Sequence, residues 1–308
     1  MLVFATSDKG GTGRSVTSCN IAYRLCLGGR NVAYVDFDFG SPTAGALFEI
    51  SAVERGVPKD RKPGGVHRYL LGRSGTAARV DVGSATDRIE LRRIGSRAGR
   101  LVLLPGDEGG AEFLSLDNAV VQRCTELLVA LEQEFKVVVV DLSAGRSAAL
   151  EIALRATAMP QLRRRTVRWL IFHRWTRQHI LAAAGLVRGP HGLLDTGSAC
   201  GHNREELLGS IRYVRTARAA ADSYRTAERP AQAAWLQEQN AALTRLASAN
   251  HLGATAVLGE TPIEPVLQWR EQVVLDTDVN AKIANEETAA AYAELARRLV
   301  DNATWERL

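Results

Sequence analysis

The chain reads as an α/β protein with a mostly parallel central sheet and helices on both faces. Three observations carry that reading. Short apolar runs without alternation end at Gly, Asp or Pro; segments of helical periodicity lie between them; and a glycine-rich loop joins the first run to the first helix. A strand buried on both faces has no reason to alternate, whereas a sheet open to water on one side would. Parallel sheets of this kind take ligands at the carboxyl ends of their strands.

In chain order the apolar runs cover 2–6, 31–36, 100–105, 136–142, 167–172, 209–214 and 254–258. Val137, Val138, Val139 and Val140 in succession predict a central strand. Helical patterns cover 13–27, 116–135, 177–187, 228–249 and 286–300; the first sets Val16, Cys19, Ala22 and Cys26 on one side. Stretches rich in Gly, Pro and charge at 55–65, 72–83 and 189–203 predict surface loops. Neither a repeat nor a linker interrupts the pattern, so 1–308 is expected to form one domain, with a helical elaboration at 218–250.

The chain has 308 residues, 46% of them apolar, enough for a sizeable core. No run approaches the roughly 18 apolar residues of a membrane span. Met1 to Thr6 lack a basic flank and read as a first strand, not a secretion signal, so the cytoplasm is the expected compartment. Cys19, Cys26, Cys124 and Cys200 form no Cys-x-x-Cys pair and are expected to be buried thiols. The net charge of +5 permits contact with nucleic acid or an anionic membrane without requiring it.

The chemistry concentrates in Ser7-Asp8-Lys9-Gly10-Gly11-Thr12-Gly13-Arg14-Ser15-Val16. Between a strand and a helix, such glycines let backbone N–H groups turn inward around phosphate oxygens, and the helix N-terminus adds a positive field. A Ser or Thr at the end of the loop can ligate Mg²⁺. The strict motif G-x-x-x-x-G-K-[ST] fails twice, at Asp8 and at Arg14. Two further strand ends carry acids. Val35-Asp36-Phe37-Asp38 closes the second run, and Asp141 closes the valine run, followed by Gly145.

The loop resembles the deviant K-G-G-x-G-K-[ST] element (deviant Walker A) of the ParA/MinD-like P-loop ATPases. Lys9, Gly10, Gly11, Gly13 and Ser15 match it, and Arg14 departs. Asp36 and Asp38 resemble the family's D-x-D element, and Asp141 with Gly145 its D-x-x-x-G. The resemblance implies a P-loop NTPase fold binding ATP and Mg²⁺ through the loop from Lys9 to Val16, Thr12 included. Ser15, Asp36 and Asp141 would arrange the metal. Asp38 would orient the attacking water, and Gly145 would offer an N–H to the γ-phosphate. Lys9 would reach the partner's nucleotide in a homodimer, so Lys9 and Asp38 would carry hydrolysis. The late Pro262 would border the adenine, and Arg215 falls where the family places a base-reading Asn. Arg14 is a planar fork in place of a compact ammonium, which predicts binding with slow or lost hydrolysis.

The implied function is a nucleotide-dependent dimerisation switch in partition or positioning of DNA or cellular machinery. The alternative is a non-hydrolysing adaptor or regulator on the same fold. Arg163, Arg164, Arg165 and Arg168 form the strongest basic cluster and are the expected DNA contacts; a protein partner is also expected. His191, Cys200 and His202 share a loop at a spacing that matches no standard zinc site. Tyr292, Leu295 and Leu299 give the last helix an apolar side expected to pack on the domain.

Overall fold

Four of the eight strands are buried along their whole length, which is why their sequences show no alternation. The strands are β1 (Leu2–Thr6), β2 (Val32–Phe37), β3 (Val80–Asp81), β4 (Leu101–Leu104), β5 (Val137–Leu142), β6 (Val167–Arg174), β7 (Ile211–Arg218) and β8 (Val257–Pro262). The computed structural model describes residues 1–92, 95, 97–113, 116–219 and 230–306. The strands form one sheet in the order β3-β4-β2-β5-β1-β6-β7-β8. All neighbours are parallel except the β3–β4 pair.

The helices of more than ten residues are α1 (Arg14–Leu27), α2 (Asn118–Glu134), α3 (Ala148–Ala158), α4 (Arg177–Arg188), α5 (Pro230–Ala249) and α6 (Glu286–Val300). Strand alternation divides the core into two layers. Val3, Ala5, Val32, Tyr34, Val137 and Val139 pack toward α1 and α6. Phe4, Ala33, Val35, Val138 and Val140 pack toward α2, α3 and α4. The same alternation carries Asp36, two residues beyond Tyr34, and Asp141, two beyond Val139, to the α1 side. These two acids are register partners on adjacent strands. Because β5 lies between β1 and β2, the loops leaving all three strands meet at one place.

The structure adds elements that the sequence pattern did not predict. The two-residue β3 is an antiparallel edge, too short to leave an apolar run. Helix α3 follows the Asp141 loop, with the Ser147 hydroxyl accepting from Leu150 N at its start. The expected loop at 189–203 holds a short helix, Leu193–Ala199. The run at 254–258 begins as a 3₁₀ turn, Ala254–Ala256, and becomes strand only at Val257. Helix α5 is largely exposed, with Ala247 fully buried; positions 228 and 229 of the expected helix lie outside the described residues. Among the described residues no helix is long and apolar enough to cross a membrane. Tyr292, Leu295 and Leu299 of α6 are buried, as expected for a helix docked on the sheet.

Candidate phosphate-binding site

The loop from Ser7 to Gly13 leaves β1 and turns directly into α1. Gly11 (φ 68°) and Gly13 (φ 71°) occupy the left-handed region, which an L-side chain enters only at a cost of roughly 1 kcal/mol or more. Gly13 is the helix N-cap and has no side chain to cap with, and the first backbone pairing of the helix is Thr17 N to Gly13 O at 2.9 Å. The loop is thus an open-ended set of N–H donors at a helix N-terminus, an arrangement that favours an anion. Thr216 of β7 braces it from the side, donating its hydroxyl to Thr12 O at 2.6 Å. A recess of about 190 Å³ lies over it, lined by Gly10 to Val16, Asp38, Ser41, Thr43, Ala144 and neighbours.

Arg14 occupies the floor of this recess. Its Nε donates to Asp141 Oδ1 at 2.5 Å, and its Nη2 donates to Asp38 Oδ2 at 2.8 Å and to Ser15 Oγ at 3.3 Å. The Arg14 side chain is 7% exposed and that of Asp141 2%. Burial alone favours loss of the Arg14 proton, but Asp141 and Asp38 outweigh it and hold the guanidinium charged more firmly than usual. Asp141 also accepts from the Tyr34 hydroxyl at 3.0 Å, so both its oxygens are engaged. Burial, reinforced by Asp141, raises the Tyr34 pKa well above its ordinary value and keeps it a donor.

Asp36 sits beside this pair without a cation. Its two oxygens accept from Asp38 N and Ala44 N, each at 3.1 Å. Burial, with Asp141 adding, raises its pKa to about 7. Ser15 and Asp141 therefore meet at a guanidinium, with Asp36 beside them on backbone amides. The acids' oxygens are committed, the Ser15 hydroxyl is engaged, and an octahedral magnesium ion would find its protein ligands already taken. Among the described residues, no group of three or more His, Cys, Asp or Glu is arranged to hold a metal. The expected Mg²⁺ set does not fit this arrangement.

On the other side of the loop lies an open pocket of about 290 Å³. Pro262 borders it, together with Gly11 to Gly13, Val16, Arg174, Thr216 and Trp269. The register between β7 and β8 shifts between Arg215 and Arg218, and Ala217 adopts φ 51° there, opening the β7 end toward the pocket. Glu264 is buried and accepts from Asn285 N, Thr288 Oγ1 and Val266 N, which ties the proline loop to α6. Trp269, 90% exposed, stands at the rim. Thr216, Arg174 and Trp269 were not singled out for this site from sequence. The Pro-rich turn after β8 was the available signal for Trp269, since the loop that brings Pro262 to the pocket continues into it.

Three sequence expectations are corrected. Gly145 does not present its N–H to the recess: it donates to Ser7 O at 2.7 Å and so braces the phosphate loop. Arg215 lies away from the pocket, donating to Leu252 O and stacking 4.3 Å over the Trp175 ring, because the neighbouring Thr216 takes the pocket-facing position. Arg168 is no DNA contact, being 4% exposed; it donates to Leu299 O and to Asn302 Oδ1, and its guanidinium lies 4.6 Å over Trp305. Arg163, Arg164 and Arg165 are exposed. Lys9 is exposed at the loop crest. Asp8 pairs with Arg146 at 2.9 Å, linking the loop to the segment after β5. His202 Nε2 donates to Leu154 O at 2.8 Å and lies 3.3 Å from Thr157 Oγ1, and among the described residues it belongs to no metal-holding group.

No protein-family model and no curated protein sequence matches the chain. Solved structures do. The MinD of the MinC:MinD cell division complex of Aquifex aeolicus aligns at TM-score 0.59 and 18% identity over 97% of this chain and 95% of the other. The pNOB8 ParA bound to nonspecific DNA aligns at TM-score 0.57 and 14% identity, covering 97% of each chain. The Pyrococcus horikoshii MinD complexed with Mg-ADP aligns at 0.51 and 16%, covering 98% of each. With the sheet order, the loop and the strand-end acids, these likenesses establish that the chain has the ParA/MinD-like P-loop ATPase fold.

Proposed function

We propose that the chain binds ATP between the loop from Lys9 to Val16 and the pocket beside Pro262, and that the bound nucleotide switches it between monomer and homodimer. The observation that carries this reading is the open-ended set of N–H donors at the start of α1, lying against a pocket large enough for a nucleoside. In the dimer Lys9 would reach the partner's phosphates. The switch would govern affinity for DNA, through Arg163, Arg164 and Arg165, or for a protein partner, and α5 offers an exposed surface for the latter. Partition or positioning of DNA or cellular machinery is the process this fits.

Arg14 favours the non-hydrolysing variant of this reading. Asp38 is the residue expected to orient the attacking water, and its Oδ2 is held by Arg14 at 2.8 Å. Preorganised catalysis needs such groups free to face the reacting atoms. Slow or absent turnover follows, with the nucleotide serving as a signal. Sedimentation velocity with ATP, with ADP and without nucleotide, run beside a phosphate-release assay, tests both parts. ATP-induced dimers with little phosphate release are expected, and Lys9→Ala should bind ATP yet remain monomeric. A sedimentation coefficient unmoved by ATP in protein that binds it would rule out the switch, and rapid turnover would rule out the silenced site.

A further inference from the structure

Building on the nucleotide reading above, we propose that Arg14 stands in for the metal: the site grips the phosphates of a nucleoside di- or triphosphate without a divalent cation. The argument is one of occupancy and charge. A magnesium ion at this place would draw on Ser15, Asp36 and Asp141. Arg14 donates to Ser15 Oγ and Asp141 Oδ1, Tyr34 donates to Asp141 Oδ2, and the Asp36 oxygens are spent on Asp38 N and Ala44 N. An incoming divalent ion would have to displace these donors and sit against a fixed positive charge.

The guanidinium itself supplies what the ion would otherwise provide. It is planar and permanently charged, and it bridges Asp38 and Asp141 through two different nitrogens, Nη2 and Nε, which a single ammonium at the end of a lysine could not do in the same geometry. Its Nη1 has no hydrogen-bond partner among the described residues, and Arg14 lines the recess above the loop. One N–H edge is thus left to meet a phosphate oxygen together with the loop amides. The metal-free nucleotide is more negative than its magnesium complex. Arg174 on the pocket wall adds positive charge where it would lie, against Glu271, which is exposed and lines both cavities.

Calorimetric titration of metal-stripped protein with ATP and with ADP, in magnesium and in EDTA, reads this directly. The expected Kd differs by less than about threefold between the two buffers. Arg14→Lys frees the acids and is expected to bind about tenfold or more weakly in EDTA than in magnesium. Wild-type binding that needs magnesium by that tenfold margin overturns the inference and leaves the nucleotide site standing. No binding in either buffer overturns the nucleotide reading, and the inference with it. Should Arg14→Lys fail to fold, electron paramagnetic resonance of Mn²⁺ added to the isolated protein–ADP complex decides: an unchanged free-ion spectrum supports the inference, and stoichiometric capture of Mn²⁺ overturns it.

Discussion

At the carboxyl ends of β1, β2 and β5 the protein meets its own charges: one guanidinium, three carboxylates, a tyrosine hydroxyl and two backbone amides satisfy one another in a buried cluster. At the ends of β7 and β8, on the other side of the loop, the surface around the pocket is left open. Trp269 projects into solvent at 90% exposure, Pro262 and Thr261 edge an open pocket, and Ala217 holds a left-handed backbone angle at the mouth. The difference separates two tasks that share a P-loop. A group that is to bind must have unmet donors or uncovered surface, whereas a group that is to catalyse must be both placed and free. The β7–β8 side has the first property. The acid side has placement without freedom.

The largest effect expected from breaking this contrast is at the acid side. Arg14→Ala removes the cation from Asp38 and Asp141 while leaving both carboxylates in place. Stranding a buried charge in this way costs about 3–5 kcal/mol. Chemical denaturation should show that loss, and a second change, Asp141→Asn, should restore part of it by neutralising the more deeply buried acid. If Arg14→Ala unfolds at the wild-type midpoint, the pairing contributes nothing and the contrast fails. An equal substitution of exposed Arg163 is the control, where surface positions of this kind shift stability by at most about 0.5 kcal/mol.

Much of this was legible before the structure. Unalternating apolar runs give the strands, and the strand ends put Asp36, Asp38 and Asp141 near the glycine loop, because a parallel sheet gathers its carboxyl ends on one edge. What could not be read was the partnership of Arg14. It depends on β5 inserting between β1 and β2, which brings Asp141 and Asp38 to the same side of the loop leaving β1, and no local pattern fixes sheet order. Arg168 is a second case. In sequence it continues Arg163-Arg164-Arg165, yet it lies on β6, faces α6 and is covered by Trp305, far along the chain. Arg212 does the same from β7, its guanidinium 4.9 Å from the Trp305 ring. Charge runs are local, whereas the choice between solvent and a carbonyl is made by tertiary packing. The short helix Leu193–Ala199 was hidden by the glycines around it, and β3 by its length of two residues.

A smaller effect separates the two sides by pH. His173 of β6 lies behind the pocket beside Pro262, its carbonyl accepting from Thr216 Oγ1 at 3.3 Å. Burial lowers the ring pKa to about 4, against the bond to Arg174 O, with Arg215 and His179 pushing the same way as burial. The unfolded chain binds a proton near the ordinary value, so between there and about pH 4 it holds more protons than the folded state. The contribution of His173 to stability is therefore full above about pH 6.5 and declines as the pH falls through that window, with a slope of at most about 1.4 kcal/mol per pH unit and a total on the order of 3 kcal/mol. His173→Leu should flatten this part of the stability–pH curve, measured by urea denaturation at several pH values. A slope identical to wild type would show that His173 does not carry the acid sensitivity.

The finest test is at Trp269, where folding and binding can be told apart. With its side chain almost wholly in water, truncation removes no packed contact, and Trp269→Ala should leave the unfolding midpoint unchanged. Stacking an aromatic ring on a base contributes about 1–3 kcal/mol. The open rim argues for the lower end of that range, so the variant should bind ATP about fivefold more weakly. The indole also reports on itself: nucleotide should quench its fluorescence. Trp235, 58% exposed on α5 and absent from the pocket lining, supplies the comparison, because Trp235→Ala should keep both the affinity and the quench. If quenching survives loss of Trp269 and disappears with Trp235, the ligand does not lie on the β7–β8 side, and the division of the site into a gripping half and a silenced half is wrong.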